Sequence, residues 1–316
     1  MRYIQELHEG SSVNDIYLCK KRIALVTKNG KNYESLTLQD KTGIIDAKIW
    51  DPNSMGIGEF EELDYVDIMG DVVSFQGHLQ LNIKRARKCR EGEYNPSDYV
   101  PVSDKNIDDM MGAIGKYIES VKNEYLNQLL KAFFVEDEEF IQDFRMSSAA
   151  KSVHHSFVGG LAEHTLGVTN LCHFFCRNYP YLKRDLLIAV ALLHDIGKTK
   201  ELSKFPRNDY TEAGQFIGHI IIGMQMIDEK IKDIPGFPEV LANEVRHCIL
   251  AHHGELEYGS PKKPATLEAV ALHFADDTDA KMETFKEILK SSAGTSDWLG
   301  YNRLFESNLR TTKLDF

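Results

Sequence analysis

The spacing of apolar and polar positions changes once along this chain, near residue 105. From about residue 23 to residue 88, apolar residues come in short alternating runs broken by turn residues, the pattern of antiparallel strands. Asn29-Gly30 separates two such runs and Lys41-Thr42-Gly43 precedes a third, so hairpins are expected at both places. Leu36 and Leu38 fall on one strand face, with Tyr33, Ser35 and Thr37 on the other. Likewise Ile45, Ala47 and Ile49 oppose Asp46, Lys48 and Trp50. After a loop near 51–63, YVDIMGDVVSF and HLQLNIKRARKC supply two more runs, Leu79, Leu81 and Ile83 alternating with Gln80, Asn82 and Lys84. Five short strands in about 75 residues predict a small barrel, read as an OB fold.

Residues 91–104 contain two prolines and no apolar period, which marks a linker, placed at 96–106. From Ile107 the period becomes helical: Met110, Ile114, Tyr117, Ile118, Val121 and Tyr125 recur at three- and four-residue steps. Further helices are expected near 161–178, 211–231, 238–252, 265–275 and 279–290. DLLIAVALLHDIGK is apolar all the way round from Leu186 to Leu193 and predicts a buried central helix with His194 and Asp195 in its last turn. The expected fold class is therefore α+β multidomain: a β-barrel over 1–95, then an all-α helical bundle over 107–316. The bundle ends in an extension after Ser291 that carries no readable motif.

A length of 316 residues fits two ordinary cores. With 42% hydrophobic and 27% charged residues the composition is that of a globular protein. No apolar run approaches the roughly 20 residues needed to cross a bilayer, and the first residues lack a signal-peptide core, so a cytoplasmic protein without a membrane partner is expected. The five cysteines are odd in number and form no Cys-x-x-Cys pair, which argues against a disulfide framework or thiolate zinc site. A net charge of -11 argues against bulk electrostatic coating of duplex DNA. A metal site could still handle a polyanion, because bound cations reverse the local field.

Ten of the twelve histidines lie between His154 and His273. They include an ordered set: His164 in GGLAEHTLGV, His194-Asp195 in LLHDIGK, His219 in GQFIGHIIIG, His252-His253 in LAHHGE, then Asp276 in HFADDTDAK. With these motifs the chain resembles the HD superfamily of metal-dependent phosphohydrolases over about residues 145–290. The resemblance implies one divalent cation held by His164, His194, Asp195 and Asp276. A second would share Asp195 and add His219, His252 and His253. Imidazole with carboxylate suits Mn, Fe, Co, Ni or Zn, and the resemblance implies manganese as the expected ion. Two such ions about 3.5–4 Å apart acidify a water and clamp a phosphodiester.

Lys198 is a candidate for neutralising a non-bridging phosphate oxygen, the alternative being a solvated helix-end lysine. His154 and His155 precede Gly159-Gly160-Leu161, and similar runs occur in the exonuclease branch of the family. They are candidates for a phosphate or a leaving oxygen, the alternative being a helix cap. Asp279, about one helical turn beyond Asp276, either orients a ligand or approaches substrate. Glu163 is read as structural support, and His173, His247 and His273 as ordinary helix residues.

Single strands bind OB barrels through stacked aromatics and basic side chains. The candidates here are Tyr33, Lys48 and Trp50 on a non-core face, the alternative being aromatics that support loops, and Lys84, Arg85 and Arg87 in the basic run KRARKCR, the alternative being a solvated strand end. A barrel followed by HHSFVGGLAEHT, LLHDIGK and LAHHGE resembles the YhaM-type 3′-to-5′ exoribonucleases. That resemblance implies stepwise release of nucleoside 5′-monophosphates from single-stranded RNA, often also DNA, with manganese or a similar cation. A homo-oligomer stays open. So do a cyclic-dinucleotide phosphodiesterase, loosely suggested by HHGELEYGSP, a nucleotide phosphohydrolase and a non-catalytic RNA-binding regulator.

Overall fold

The computed structural model describes residues 2–151, 155–291 and 297–312. The chain divides into two compact units, Met1–Val102 with Lys204–Asn208, and Ser103–Ser203 with Asp209–Phe316.

In the first unit β1 (Ser12–Val26), β2 (Asn32–Asp40), β3 (Gly43–Ile49), β4 (Tyr65–Phe75) and β5 (His78–Lys88) close in the order β1-β2-β3-β5-β4. Strands β3 and β5 pair in parallel and the other neighbours antiparallel, the five-stranded OB arrangement. Both expected hairpins form. Gly30 takes a left-handed φ of 75° in the β1–β2 turn. The β2–β3 turn is pinned by Asp40 Oδ1, which accepts from the Thr42 and Gly43 amides at 2.7 and 3.1 Å. Leu36, Leu38, Ile45, Ala47, Ile49 and Leu81 fill the interior, as their alternation predicts.

Strand β1 begins well before residue 23. Its first half hid because Tyr17, Leu18 and Cys19 are buried in succession beside a bulge, which breaks the two-residue period. A second bulge sits where the β4–β5 register passes from Met69↔Arg85 to Gly70↔Ile83. A Cβ at Gly70 would lie 2.3 Å from the Asn82 carbonyl oxygen, so only glycine lets the strands approach there. The extra residue leaves Lys84 and Arg85 both exposed.

Part of the expected linker is ordered. Pro96–Asp98 forms a 3-10 turn, and Tyr99 and Val100 are buried. The Tyr99 carbonyl accepts from Gln39 Nε2 at 3.0 Å, so the barrel unit runs past residue 95 to Val102.

The second unit contains α1 (Ile107–Ser120), α2 (Glu124–Phe134), α3 (Glu138–Met146), α4 (Gly160–Asn178), α5 (Arg184–Leu193), α6 (Lys198–Glu201), α7 (Glu212–Phe216), α8 (His219–Lys232), α9 (Glu239–Ala251) and α10 (Leu267–Ser291). Asn106, Asn123 and Asp137 cap the first three by accepting from backbone amides. Every residue of α5 from Leu186 to Leu193 is buried, which makes it the central helix expected from its apolar run.

Two helical expectations change. The span 211–231 breaks at Gly218, whose φ of 78° and ψ of 154° no helix accommodates, giving α7 and α8. The spans 265–275 and 279–290 join into the single helix α10, because the polar residues between them contain no breaker. The terminal extension is not all helical: β6 (Trp298–Asn302) and β7 (Ser307–Arg310) form a hairpin. No described helix is long and apolar enough to cross a membrane. All five cysteines are free.

Candidate metal centre

Five helices deliver the chemistry-bearing residues of the second unit to one place. His164 lies in the second turn of α4, and His194 caps the buried end of α5 with Asp195 following. His219 opens α8, His252 caps α9 with His253 next, and Asp276 and Asp279 lie mid-way along α10. Gly197 makes the turn after Asp195 fit against α8, since a Cβ there would meet the His219 carbonyl oxygen at 2.0 Å.

Asp195 sits between two groups of ligand atoms. On one side, His164 Nε2 and His194 Nε2 each lie 3.4 Å from Asp195 Oδ2, and His164 Nε2 lies 3.1 Å from Asp276 Oδ1. On the other, His219 Nε2 and His252 Nε2 lie 3.5 and 3.6 Å from Asp195 Oδ1. His253 joins this second group, its ring centroid 4.3 Å from that of His252. The seven residues that the resemblance implies as ligands thus lie together, His164, His194 and Asp276 on one side of Asp195 and His219, His252 and His253 on the other.

Each imidazole is turned by a partner on its other nitrogen. His194 Nδ1 and His252 Nδ1 donate to Ala191 and Ile249 carbonyls at 2.7 Å, each three residues back on its own helix. His164 Nδ1 donates to Asp279 Oδ2 at 2.8 Å, His219 Nδ1 to Glu201 Oε1 at 2.9 Å and His253 Nδ1 to the Tyr258 carbonyl at 2.9 Å. With the proton held on Nδ1, every Nε2 presents a lone pair to the centre.

This arrangement fits cations. Asp195 Oδ1, His219 Nε2 and His252 Nε2 are buried without a hydrogen-bond partner among the described residues, a costly state unless another group binds them. In the first group, His164 Nε2 and His194 Nε2 stand 3.3 Å apart, lone pair against lone pair once both protons are on Nδ1. Burial alone would lower the basicity of His164, yet Asp195, Asp276 and Asp279 hold it well above the ordinary histidine range, so this position calls for positive charge. In the second group burial pushes His253 down to about 4 and also lowers His252, which keeps both rings in the neutral, ligating form. Burial would raise the Asp195 carboxyl, but Lys198 and His194 hold it well below the usual range.

The other candidates occupy distinct positions. Lys198 Nζ rests 2.6 Å from Asp195 Oδ2 and is largely enclosed, so it is not the solvated helix-end lysine of the alternative reading. His155 is buried with Nε2 3.1 Å from Asp279 Oδ2, the oxygen that also holds His164. His154 lies outside the described residues. Glu163 faces Lys105 at 2.9 Å and accepts from Ser103, in keeping with structural support.

Sequence reasoning missed Glu201, the Tyr258 carbonyl and His273, whose Nδ1 donates to the His252 carbonyl at 3.0 Å. Glu201, one turn past Lys198, carried a weak signal. A main-chain carbonyl carries none.

The barrel unit separates its own candidates. Tyr33 and Trp50 stack with ring centroids 5.2 Å apart, and Trp50 Nε1 donates to Asn82 Oδ1 at 3.0 Å. Lys48, opposite Asn82 in the β3–β5 register, donates to Ser35 Oγ at 2.5 Å. The basic run is different: Lys84 pairs with Asp71, and Arg87 with Asp67 and Glu93 at 2.9 and 2.8 Å. Arg85 is exposed beside that pair, and carboxylates partly offset the charge the run has in sequence.

Residues 161–281 match the family model described as HD domain. Over 287 residues the chain is 36% identical to the 3′-5′ exoribonuclease YhaM of Bacillus subtilis (strain 168), covering 90% of this chain and 90% of that protein. It is 34% identical over 278 residues to the YhaM of Geobacillus sp. (strain WCH70), covering 87% of this chain and 85% of that protein. Among solved structures, it is similar to the second OB-fold domain of replication protein A from Methanococcus maripaludis. That match has 19% identity and a TM-score of 0.24, covering 29% of this chain and 98% of that one. With this identity running through both units, the chain belongs to the YhaM family of 3′-5′ exoribonucleases.

Proposed function

We propose that this protein is a metal-dependent 3′-to-5′ exonuclease that shortens single-stranded RNA, and single-stranded DNA alongside it, to nucleoside 5′-monophosphates in the cytoplasm. The observation that carries the reading is Asp195, with one carboxylate oxygen turned to His164 and His194 and the other to His219 and His252. His164, His194, Asp195 and Asp276 would hold one divalent cation, and Asp195, His219, His252 and His253 the other; the family resemblance makes manganese the first choice. Such a pair supplies an acidified water and positive charge for in-line displacement at phosphorus.

Hydrolysis forms a bond from water oxygen to phosphorus and breaks the bond to the 3′ oxygen of the penultimate nucleotide, which leaves with a proton. Lys198 is assigned a non-bridging oxygen of the scissile phosphate, because its ammonium already lies at the edge of the centre. His155, held by Asp279, is assigned to the phosphate or the leaving oxygen. Tyr33 and Trp50 are assigned to base stacking, Lys48 to the adjoining phosphate and Lys84, Arg85 and Arg87 to a secondary track that must compete with its own acids.

The test is digestion of 5′-labelled single-stranded RNA with Mn²⁺. A ladder shortening from the 3′ end is expected, and Asp195→Ala should abolish it. Wild-type turnover by Asp195→Ala would remove the proposed centre, and immediate release of the labelled 5′ nucleotide would reverse the polarity.

A further inference from the structure

We propose that Glu201 is the positioning residue for the second cation, holding His219 in its ligating orientation; this rests on the two-cation reading above. Oε1 of Glu201 accepts two hydrogen bonds from the same residue, the His219 backbone amide at 2.9 Å and His219 Nδ1 at 2.9 Å. One carboxylate oxygen therefore caps the start of α8 and fixes the tautomer and rotation of the ring. Gly218 has no side chain with which to cap that helix, and its left-handed φ aims the His219 amide at Glu201.

The other imidazoles do not depend on Glu201. His194 and His252 are oriented by carbonyls of their own helices, His164 by Asp279 and His253 by the Tyr258 carbonyl. Glu201 itself is braced. Its amide donates to the Gly197 carbonyl at 2.9 Å, its carbonyl accepts from the Thr211 amide at 2.9 Å, and Gly214 packs so closely that a Cβ would lie 2.2 Å from the Glu201 carbonyl oxygen. Helices α6 and α7 thus hold the main chain of Glu201 in place. The carboxylate serves His219, whose Nε2 is one of the buried atoms of the second group that lack a hydrogen-bond partner among the described residues.

The experiment is Mn²⁺ binding to the full chain by equilibrium dialysis with metal analysis, repeated with Co²⁺ to read the ligand field of each ion by its visible spectrum. Wild type should bind two ions. Glu201→Leu removes the acceptor and should weaken the second ion about 10- to 100-fold while the first is retained. Glu201→Gln keeps an oxygen able to accept both bonds and should restore most of the second-ion affinity.

Two ions bound at wild-type affinity by Glu201→Leu would overturn the positioning role and leave the two-cation reading intact. Loss of both ions would also overturn it, because Glu201 would then be supporting the fold rather than one half of the centre. A wild-type chain that saturates at one ion would instead sink the two-cation reading. If Glu201→Leu does not fold, Glu201→Asp, one methylene short of His219, takes the same comparison.

Discussion

Gly167 shows how much one missing methyl group decides here. It lies on α4 where Asp279 of α10 passes, and a Cβ would come 2.0 Å from Asp279 Oδ1. Asp279 is the acceptor for both His164 Nδ1 and His155 Nε2, so moving it would release two rings at once. Gly167→Ala is expected to cost ~1–3 kcal/mol by overpacking and to lower Mn²⁺ affinity about tenfold through His164. Urea denaturation and a metal titration on the same preparation check both effects; unchanged affinity would mean that Asp279 does not control His164. The candidate ligand types were legible in sequence because imidazole next to carboxylate in ordered motifs is unusual. Glu201 and the orienting carbonyls were not, because their work depends on angles between atoms far apart in the chain.

At the scale of elements, periodicity predicted most of what forms and failed where a local irregularity reset it. The burial of α5 followed from its unbroken apolar run, and that burial is what carries His194 and Asp195 into the interior. The β5 bulge did the reverse: it sent Lys84 and Arg85 outward together, alongside strand β4 with its Asp67 and Asp71. The densest basic run of the chain is therefore already paired in part. The stacked Tyr33 and Trp50, tied to Asn82, form the better-built face. Trp50→Ala is expected to weaken binding of a single-stranded oligonucleotide by about 1–3 kcal/mol and to leave hydrolysis of a dinucleotide near wild type. Fluorescence anisotropy and a dinucleotide assay separate the two, and equal losses in both would assign Trp50 to the fold of the barrel.

Over the whole molecule, each unit closes on its own apolar core, the barrel around residues such as Leu36 and Leu81 and the helical unit around the residues of α5. Both cores are built of apolar side chains, whereas small zinc domains lack such a core and unfold without their metal. Exhaustive chelation is accordingly expected to abolish strand digestion while leaving the far-ultraviolet circular dichroism unchanged, with Mn²⁺ restoring activity; unfolding on chelation would contradict this. The sequence alone determined the two fold types, because apolar periodicity is a local property that each segment carries with it, and its ordered His and Asp motifs supplied the candidate ligands through the resemblance they carry. Only the tertiary structure decided which oxygen of Asp195 faces each histidine group and that Glu201 serves His219. It also decided that acids meet the basic run of β5, because each of these is a relation between segments, fixed by packing, bulges and glycine-permitted close approaches.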